Sequence, residues 1–199
     1  MRQTRPLILA SQSPRRRELL TRLGLAFEVA PADLDETRRA TESPEAYVVR
    51  LAEEKARAIA SRVAASPPHA VLGADTTVVL DGAVLNKPAD LGESERMLRA
   101  LSGRTHVVHT GVALVLAPEQ AVRTVVVATR VTFRVLPEAT ITRYVASGEG
   151  LDKAGAYGIQ DLGAALVHTI DGSYTNVVGL PAAETVTLLE DAGVLAEWP

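Results

Sequence analysis

Apolar and polar positions along this chain are grouped in blocks that predict a mixture of strands and helices. Residues 7–10 form a short, continuously apolar run, which predicts a buried strand. Ser13 then has the character of a helix N-cap, with Pro14 at the first helical position, and Gly24 ends the helix. The apolar face of this helix is formed by Leu19, Leu20 and Leu23. The first strand is therefore expected to lead directly into a helix N-terminus.

A second helix has the same opening, with Ser43 as its cap and Pro44 inside it. Its apolar stripe consists of Val48, Leu51, Ala52, Ala56 and Ile59. The sequence SPPHA at 66–70 predicts a loop, and VLGADTTVVL at 71–80 predicts a strand. The dipeptide at 81–82, Asp-Gly, predicts a two-residue hairpin turn.

The rest of the chain continues this mixture. Asp90 and Glu93 have the spacing of a capping box, which predicts the start of a third helix. The later predicted elements are β-rich segments at about 105–116 and 122–135, a short helix from Pro137, a strand near 164–170, a loop over DGSYTNVVG, and a helix from Pro181 to about Ala192. Strands and helices do not alternate strictly, so we predict an α/β fold: a mixed, twisted β-sheet with flanking helices, in one domain over residues 1–199.

Composition excludes several classes of function. The chain of 199 residues is 47% hydrophobic and 23% charged, which is ordinary for a globular protein. A net charge of −3 and an aromatic content of 4% argue against a general nucleic-acid binder. The lack of cysteine excludes disulfides, thiolate catalysis and zinc–thiolate sites. No apolar stretch approaches the roughly 18 residues of a membrane span, so we expect a cytoplasmic protein that contacts neither membrane nor nucleic acid.

Arg15, Arg16 and Arg17 occupy the first turn of the first predicted helix, where the helix dipole is positive and backbone N–H groups are unpaired. Cations are unfavourable in this turn unless an anion binds there. At about 100° per residue, Arg16 falls on the side of the helix that carries its leucines, so its side chain is directed toward the covered face. The pattern favours a phosphate site; the alternative is a surface basic cluster in which Arg16 pairs with a carboxylate.

Asp75 lies inside an apolar strand, and Lys55 lies inside the apolar stripe of the second helix. A carboxylate buried alone costs several kcal/mol, so Asp75 needs a partner such as a metal ion or a water that it deprotonates. The alternatives are that Asp75 faces solvent at a bulge or strand end, and that Lys55 extends to the helix edge. The loop residues Asp33, Asp35 and Glu36 form a carboxylate cluster, which is usually a solvated surface but also suits a magnesium ion shared with phosphates.

Several familiar phosphate-binding and catalytic signatures are absent from the sequence: GxxxxGK[ST], GxGxxG, HExxH and GxSxG. Any nucleotide chemistry therefore uses other loops. His106 and His109 are three positions apart in a predicted strand, so they face opposite sides and disfavour a histidine metal pair.

Seven blocks occur in order along the chain: LASQSPRRRELL, GADTTVVLDG, LNKP, LSGRTHVVHTGVAL, VTFR, LDKAGAYGIQ and SYTNVVGLP. Together they resemble the Maf family of nucleotide pyrophosphatases, from about Leu7 to the last helix. The resemblance implies a hydrolase of acid anhydrides that splits a nucleoside triphosphate into the monophosphate and pyrophosphate with a divalent metal, Mg²⁺ or Mn²⁺. It also implies two lobes around a deep nucleotide cleft, a homodimer and, from DKAGAYGIQ, the branch that acts on dTTP and UTP.

The resemblance extends to individual residues. The general base of the family is matched by Asp75, and the candidate metal ligand is Glu36. The positions tied to substrate specificity are matched by Arg15, Thr76 and Gln160. The polar positions around the phosphates are matched by Ser11, Arg16, Lys55 and Lys87.

Gln160 suits recognition of a pyrimidine nucleobase. A side-chain amide donates and accepts hydrogen bonds together, so it matches the carbonyl and N–H edge that uracil and thymine share. Two positions depart from the family pattern: Gln12 stands where a small residue is expected, and Asp161 stands where a glycine is expected after Gln160. Two other functions stay open at this stage. One is a nucleotide-binding regulator of septum formation or cell division without significant turnover; the other is a house-cleaning enzyme for modified pyrimidine nucleotides.

Overall fold

A computed structural model describes residues 2–63 and 67–199. The strands are β1 (Arg2–Gln3), β2 (Leu7–Leu9), β3 (Glu28–Val29), β4 (His69–Leu80), β5 (Ala83–Leu85), β6 (Thr105–Ala117), β7 (Ala121–Phe133), β8 (Val167–Asp171) and β9 (Leu195–Glu197). The helices are α1 (Pro14–Arg22), α2 (Pro44–Ala60), α3 (Leu91–Leu101), α4 (Glu138–Ala146), α5 (Tyr174–Val178) and α6 (Ala182–Asp191), with 3₁₀ turns at Ala154–Ala156 and Leu162–Leu166. Among these helices none is long and apolar enough to cross a membrane. The predicted loop at 66–70 begins at Ser66, which lies outside the described residues.

The main sheet has seven strands, in the order β3-β2-β4-β6-β7-β8, with β5 paired to β4. Strand β2 is parallel to both β3 and β4, whereas β5 runs antiparallel to β4 and β8 runs antiparallel to β7. Strands β1 and β9 form a separate antiparallel pair. Parallel and antiparallel pairs in one sheet, together with six helices among the described residues, confirm the predicted mixed α/β fold.

The chain divides into two compact units. The first comprises Met1–Asp75, Thr110–Val127 and Gly179–Pro199, and the second comprises Thr76–His109 and Ala128–Val178. The boundaries fall within β4, β6 and β7 and directly after α5. The organisation as one domain over residues 1–199 stays a prediction.

Three predicted helix starts are confirmed, because side-chain oxygens accept hydrogen bonds from the first unpaired backbone N–H groups. Ser13 accepts from the Arg16 N–H at 3.4 Å, and Ser43 accepts from the Ala46 N–H at 3.2 Å. At α3, the N-cap Asp90 accepts from the N–H of Glu93 at 2.7 Å. The predicted hairpin is also present: the residues at 81–82 have φ values of 49° and 80°, and β5 pairs with β4 directly after them.

Two sequence predictions near the second half of the chain are wrong in part. The strand expected at 164–170 begins only at Val167, because residues 162–166 form a 3₁₀ turn. The segment DGSYTNVVG, predicted as a loop, contains α5. Ser173 starts this helix, since its side chain accepts from the Asn176 N–H at 3.2 Å and its carbonyl accepts from the Val177 N–H at 3.3 Å.

The backbone of helix α2 packs directly against the backbones of β4 and β6, because each strand has a glycine facing the helix. A Cβ on Gly73 would lie 2.1 Å from the carbonyl oxygen of Ala52, and a Cβ on Gly111 would lie 2.5 Å from the carbonyl of Val48. Only glycine permits so close an approach at either position. Successive side chains on one face of a strand are two residues apart, so Asp75 faces α2 as Gly73 does.

Apolar side chains of the first unit pack between α2 and the sheet, next to these glycine contacts. A buried cluster joins α2 to the neighbouring strands and consists of Ile8, Ala10, Ala56, Ile59, Ala60, Val71 and Val115. This apolar packing holds the C-terminal half of α2 in place, and Lys55, directly before Ala56, meets Asp75 in the same half.

Candidate active site

Lys55 and Asp75 form a buried ion pair where α2 crosses β4. Each residue is 8% exposed, and the Lys55 ammonium donates a hydrogen bond of 2.7 Å to the Asp75 carboxylate. The glycine contact at Gly73 brings the two elements close enough for this pair. The alternatives from the sequence are thereby excluded: Lys55 does not extend to the helix edge, and Asp75 does not face solvent.

A second carboxylate contacts the same ammonium. The Glu36 side chain lies 2.6 Å from Lys55 Nζ and is 48% exposed, whereas the Asp75 side chain is 12% exposed. Lys55 thus links one buried and one accessible carboxylate. Of the carboxylates predicted in the 33–36 loop, Glu36 contacts Lys55, whereas Asp35 accepts hydrogen bonds from the backbone N–H and hydroxyl of Thr37.

The loop that carries Glu36 is held by side chains from α2. The Tyr47 hydroxyl donates to the Glu36 carbonyl at 2.8 Å, and the Arg50 guanidinium donates to the Thr37 carbonyl at 3.2 Å. Burial, together with the carboxylates of Asp75 and Glu36, raises the pKa of Tyr47 to about 12, so the hydroxyl keeps the proton that it donates. Sequence reasoning missed both supporting residues; the signal available for Tyr47 was its position one turn before Leu51 on the buried stripe of α2.

Arg16 occupies the side of α1 that the helical wheel predicts. It is half-buried, and its guanidinium donates to the Ser11 hydroxyl at 3.1 Å and to the Gly179 carbonyl at 2.8 Å. Both of these acceptors are neutral oxygens. Burial lowers the pKa of Arg16, while the negative charge of the Asp75 carboxylate opposes that effect.

The electrostatics of Asp75 suit a proton acceptor. Burial raises the pKa of the Asp75 carboxyl above its usual range, while the cations of Lys55 and Arg16 lower it and Glu36 raises it further. A desolvated carboxylate is a stronger base than an exposed one, and the two nearby cations oppose the rise in its pKa.

The first unit therefore brings together Ser11, Arg15, Arg16, Glu36, Lys55 and Asp75 from the predicted site. Within α1, Arg15 is half-buried beside Arg16, whereas Arg17 is exposed. The other predicted residues belong to the second unit, and their roles stay predictions: Thr76 directly follows Asp75 in β4, Lys87 is exposed just after β5, and Gln160 is partly exposed between the two 3₁₀ turns.

The residues present fit a divalent cation that is shared with phosphate groups. Magnesium is commonly held by one or two protein carboxylates plus substrate phosphates, and Asp75 and Glu36 supply two carboxylates that both contact the Lys55 ammonium. Over residues 2–63 and 67–199, no three His, Asp or Glu side chains group closely enough to form a metal site by themselves. A cage made of protein ligands alone is therefore not seen in the described chain.

Comparison with known proteins identifies the family of this chain. A family model described as "Maf-like protein" matches residues 6–192, which is nearly the whole chain. The chain belongs to the Maf-like family. The resemblance carried by the seven sequence blocks is thereby confirmed.

Three similar curated relatives of this Maf-like protein share the name dTTP/UTP pyrophosphatase. The relative from Myxococcus xanthus is 56% identical over 192 residues, covering 96% of this chain and 95% of the relative. The relative from Shewanella oneidensis is 53% identical over 194 residues, covering 95% and 99%. The relative from Salmonella typhimurium is 55% identical over 191 residues, covering 96% and 95%.

Proposed function

We propose that this Maf-like protein is a nucleoside triphosphate pyrophosphatase that hydrolyses dTTP and UTP to the nucleoside monophosphate and pyrophosphate. The observation that carries the proposal is the buried carboxylate of Asp75, which Lys55 holds at 2.7 Å and on which the positive charge of Arg16 also acts. It combines a desolvated base with cations suited to phosphate, in a chain that is 53–56% identical to relatives with that name.

In the proposed reaction Asp75 orients a water and takes its proton while the water oxygen bonds to the α phosphorus. The bond from that phosphorus to its bridging oxygen breaks, and pyrophosphate leaves with the electron pair. Arg16 binds phosphoryl oxygens in a two-pronged manner that a lysine cannot provide, while Lys55 acts as a point charge. Positioning and charge stabilisation supply most of the rate gain, and no covalent intermediate on the protein is needed.

Glu36 is the proposed ligand of the divalent cation, Mg²⁺ or Mn²⁺, with Asp75 beside it. When bound, such a cation neutralises charge on the phosphate groups. Lys55 contacts both carboxylates, so its ammonium holds Asp75 and Glu36 near each other.

Substrate contacts complete the proposal. Phosphate binding is assigned to Ser11, Arg16, Lys55 and Lys87, and specificity to Arg15, Thr76 and Gln160. A homodimer, a cytoplasmic location and the absence of nucleic-acid or membrane partners belong to the same proposal, on the strength of the family and the acidic charge balance.

A panel of triphosphates with Mg²⁺ or Mn²⁺ tests the reaction and the base preference together. We expect kcat/KM to be higher for dTTP and UTP than for ATP and GTP, with monophosphate and pyrophosphate as products. Release of a diphosphate and inorganic phosphate would instead place attack at the γ phosphorus.

Modified pyrimidine triphosphates in the same panel test the house-cleaning function. Nucleotide binding without pyrophosphate release would support the regulator, which the names of the relatives do not favour.

Arg16→Ala is expected to lower kcat/KM for dTTP by about 10- to 100-fold, because a hydrogen bond to a charged group is worth about 1.5–3 kcal/mol. The fold should survive, because the packing of α1 depends on its buried leucines, Leu19 and Leu20, which the substitution leaves in place. Steady-state kinetics and thermal unfolding measure the two effects. Arg17→Ala removes an exposed cation from the same turn and serves as the control. Equal kcat/KM values for the two variants would contradict the phosphate site and support the alternative that the three arginines form a surface basic cluster.

A further inference from the structure

Residues 158–163, which we call the Gln160 loop, are fixed at their C-terminal end by one carboxylate. Glu149 lies three residues after α4 and is partly buried. Its Oε2 accepts a hydrogen bond from the Leu162 N–H at 2.9 Å, and its Oε1 accepts from the Gly163 N–H at 2.9 Å. Charge-assisted bonds of this kind are stronger than those between neutral groups.

The N-terminal end of the Gln160 loop is attached to the same carboxylate through a tyrosine. The buried Tyr144 hydroxyl donates to Glu149 Oε1 at 3.0 Å and accepts from the Gly158 N–H at 3.1 Å. Burial and then the charge of Glu149 raise the pKa of Tyr144, so its hydroxyl stays protonated. Glu149 and Tyr144 therefore bind both ends of the loop.

The base of the loop is closed by direct backbone contact. A Cβ on Gly163 would lie 2.1 Å from the carbonyl oxygen of Gly158, so the two ends touch. The carbonyl of Asp161, which follows Gln160, accepts from the Ala164 N–H at 3.1 Å and so connects the loop to the 3₁₀ turn that follows it.

Base chemistry explains why the position of Gln160 matters. The amide of Gln160 matches a carbonyl next to an N–H, and uracil, thymine and guanine all present that pair. Hydrogen-bond type alone therefore does not separate UTP from GTP. The two-ring purine places this edge farther from the ribose than a pyrimidine does, so discrimination depends on where the loop holds the amide.

We propose that Glu149, together with Tyr144, is a positioning residue that sets the preference for uracil and thymine over guanine by fixing the Gln160 loop. This inference rests on the proposed function, and within it on Gln160 as the residue that recognises the base. Neither Glu149 nor Tyr144 needs to touch the nucleotide in this role.

The test compares kcat/KM for UTP and GTP in the wild type, Glu149→Ala, Glu149→Gln and Tyr144→Phe. We expect Glu149→Ala to lower the UTP-to-GTP ratio on the order of tenfold, chiefly through a higher KM for UTP, because a misplaced amide forfeits its contact with the base. Glu149→Gln keeps one acceptor and should retain part of the preference. Tyr144→Phe removes only a hydroxyl, so it tests the inference if Glu149→Ala fails to fold.

Glu138→Ala is the matched control, because Glu138 is an exposed carboxylate on α4 that pairs with Arg99. It should leave the UTP-to-GTP ratio unchanged. In a Gln160→Ala background, Glu149→Ala should reduce the ratio no further, as expected when one residue acts through another. Equal loss of kcat/KM for UTP and GTP in Glu149→Ala would show a structural role alone and overturn the inference.

Failure of the proposed function gives a different result. A wild-type protein that releases no pyrophosphate refutes the reaction, and the inference is then judged on the binding constants of non-hydrolysable UTP and GTP analogues in the same variants. A wild type that binds or hydrolyses both nucleotides equally refutes the base preference and the inference with it. A selective wild type with unchanged ratios in Glu149→Ala and Tyr144→Phe refutes only the inference.

Discussion

Asp75→Asn is expected to reduce kcat for pyrophosphate release from dTTP by about 10²–10⁴, the usual contribution of a general base, while nucleotide still binds. Asparagine has the size of aspartate and keeps an oxygen that accepts from Lys55, so the packing of α2 on β4 is preserved. Its amide does not take a proton from water at neutral pH. Single-turnover kinetics and calorimetric binding of dTTP measure the two quantities separately.

Asp90→Asn is the matched control for that variant. Asp90 is a carboxylate whose function is to cap α3, and asparagine caps helices about equally well. Its kcat should equal that of the wild type. A wild-type rate in Asp75→Asn would remove Asp75 from the mechanism, whereas loss of binding together with turnover would give it a role in holding the substrate.

Lys55→Met is expected to lower the free energy of unfolding by about 3–5 kcal/mol, because it leaves the buried Asp75 carboxylate without its ammonium partner. For a chain of this length the midpoint of thermal unfolding should fall by about 6–20 °C. Activity should fall as well, since both Asp75 and Glu36 lose the cation that holds them. Thermal unfolding followed by circular dichroism provides the measurement.

Arg57→Met provides the comparison on the same helix, because Arg57 forms a partly exposed ion pair with Glu53. Such pairs contribute about 0–1 kcal/mol, so the change should be small. Adding Asp75→Asn to Lys55→Met should recover stability, since a neutral amide is less costly to bury than an unpaired carboxylate. If the free energy of unfolding of Lys55→Met is no lower than that of Arg57→Met, the buried Lys55–Asp75 pair contributes no more to stability than the exposed Arg57–Glu53 pair.

Local patterns marked Lys55 and Asp75 as candidate buried charges, although they did not predict that the two residues pair with each other. Lys55 interrupts an apolar helix stripe and Asp75 interrupts an apolar strand, and each interruption signals a buried charge that needs a partner. The helical wheel likewise separated half-buried Arg16 from exposed Arg17. These inferences succeed because the periods of helices and strands depend on neighbouring residues alone.

Features that depend on distant contacts were not predictable in the same way. The place of Glu36 depends on Tyr47 and Arg50, which hold a loop without periodicity. Glu149 binds backbone N–H groups, and every sequence contains those, so no side-chain pattern marks its partners. Helix α5 was missed because a five-residue helix gives too short a periodic signal, although Ser173 has the character of a cap.

The close approach of α2 to the sheet has a consequence for engineering. Replacing glycine by alanine often stabilises a protein by about 0.4–1 kcal/mol, because it restricts the unfolded chain. At Gly73 and Gly111 the substitution by alanine would destabilise the protein, since an added methyl group would overlap the carbonyls of Ala52 and Val48. Helix α2 would have to move away from the sheet, and Lys55 would move away from Asp75 with it. A consensus or alanine-scanning library for thermostability should therefore leave these two positions unchanged, although neither glycine has any chemistry of its own.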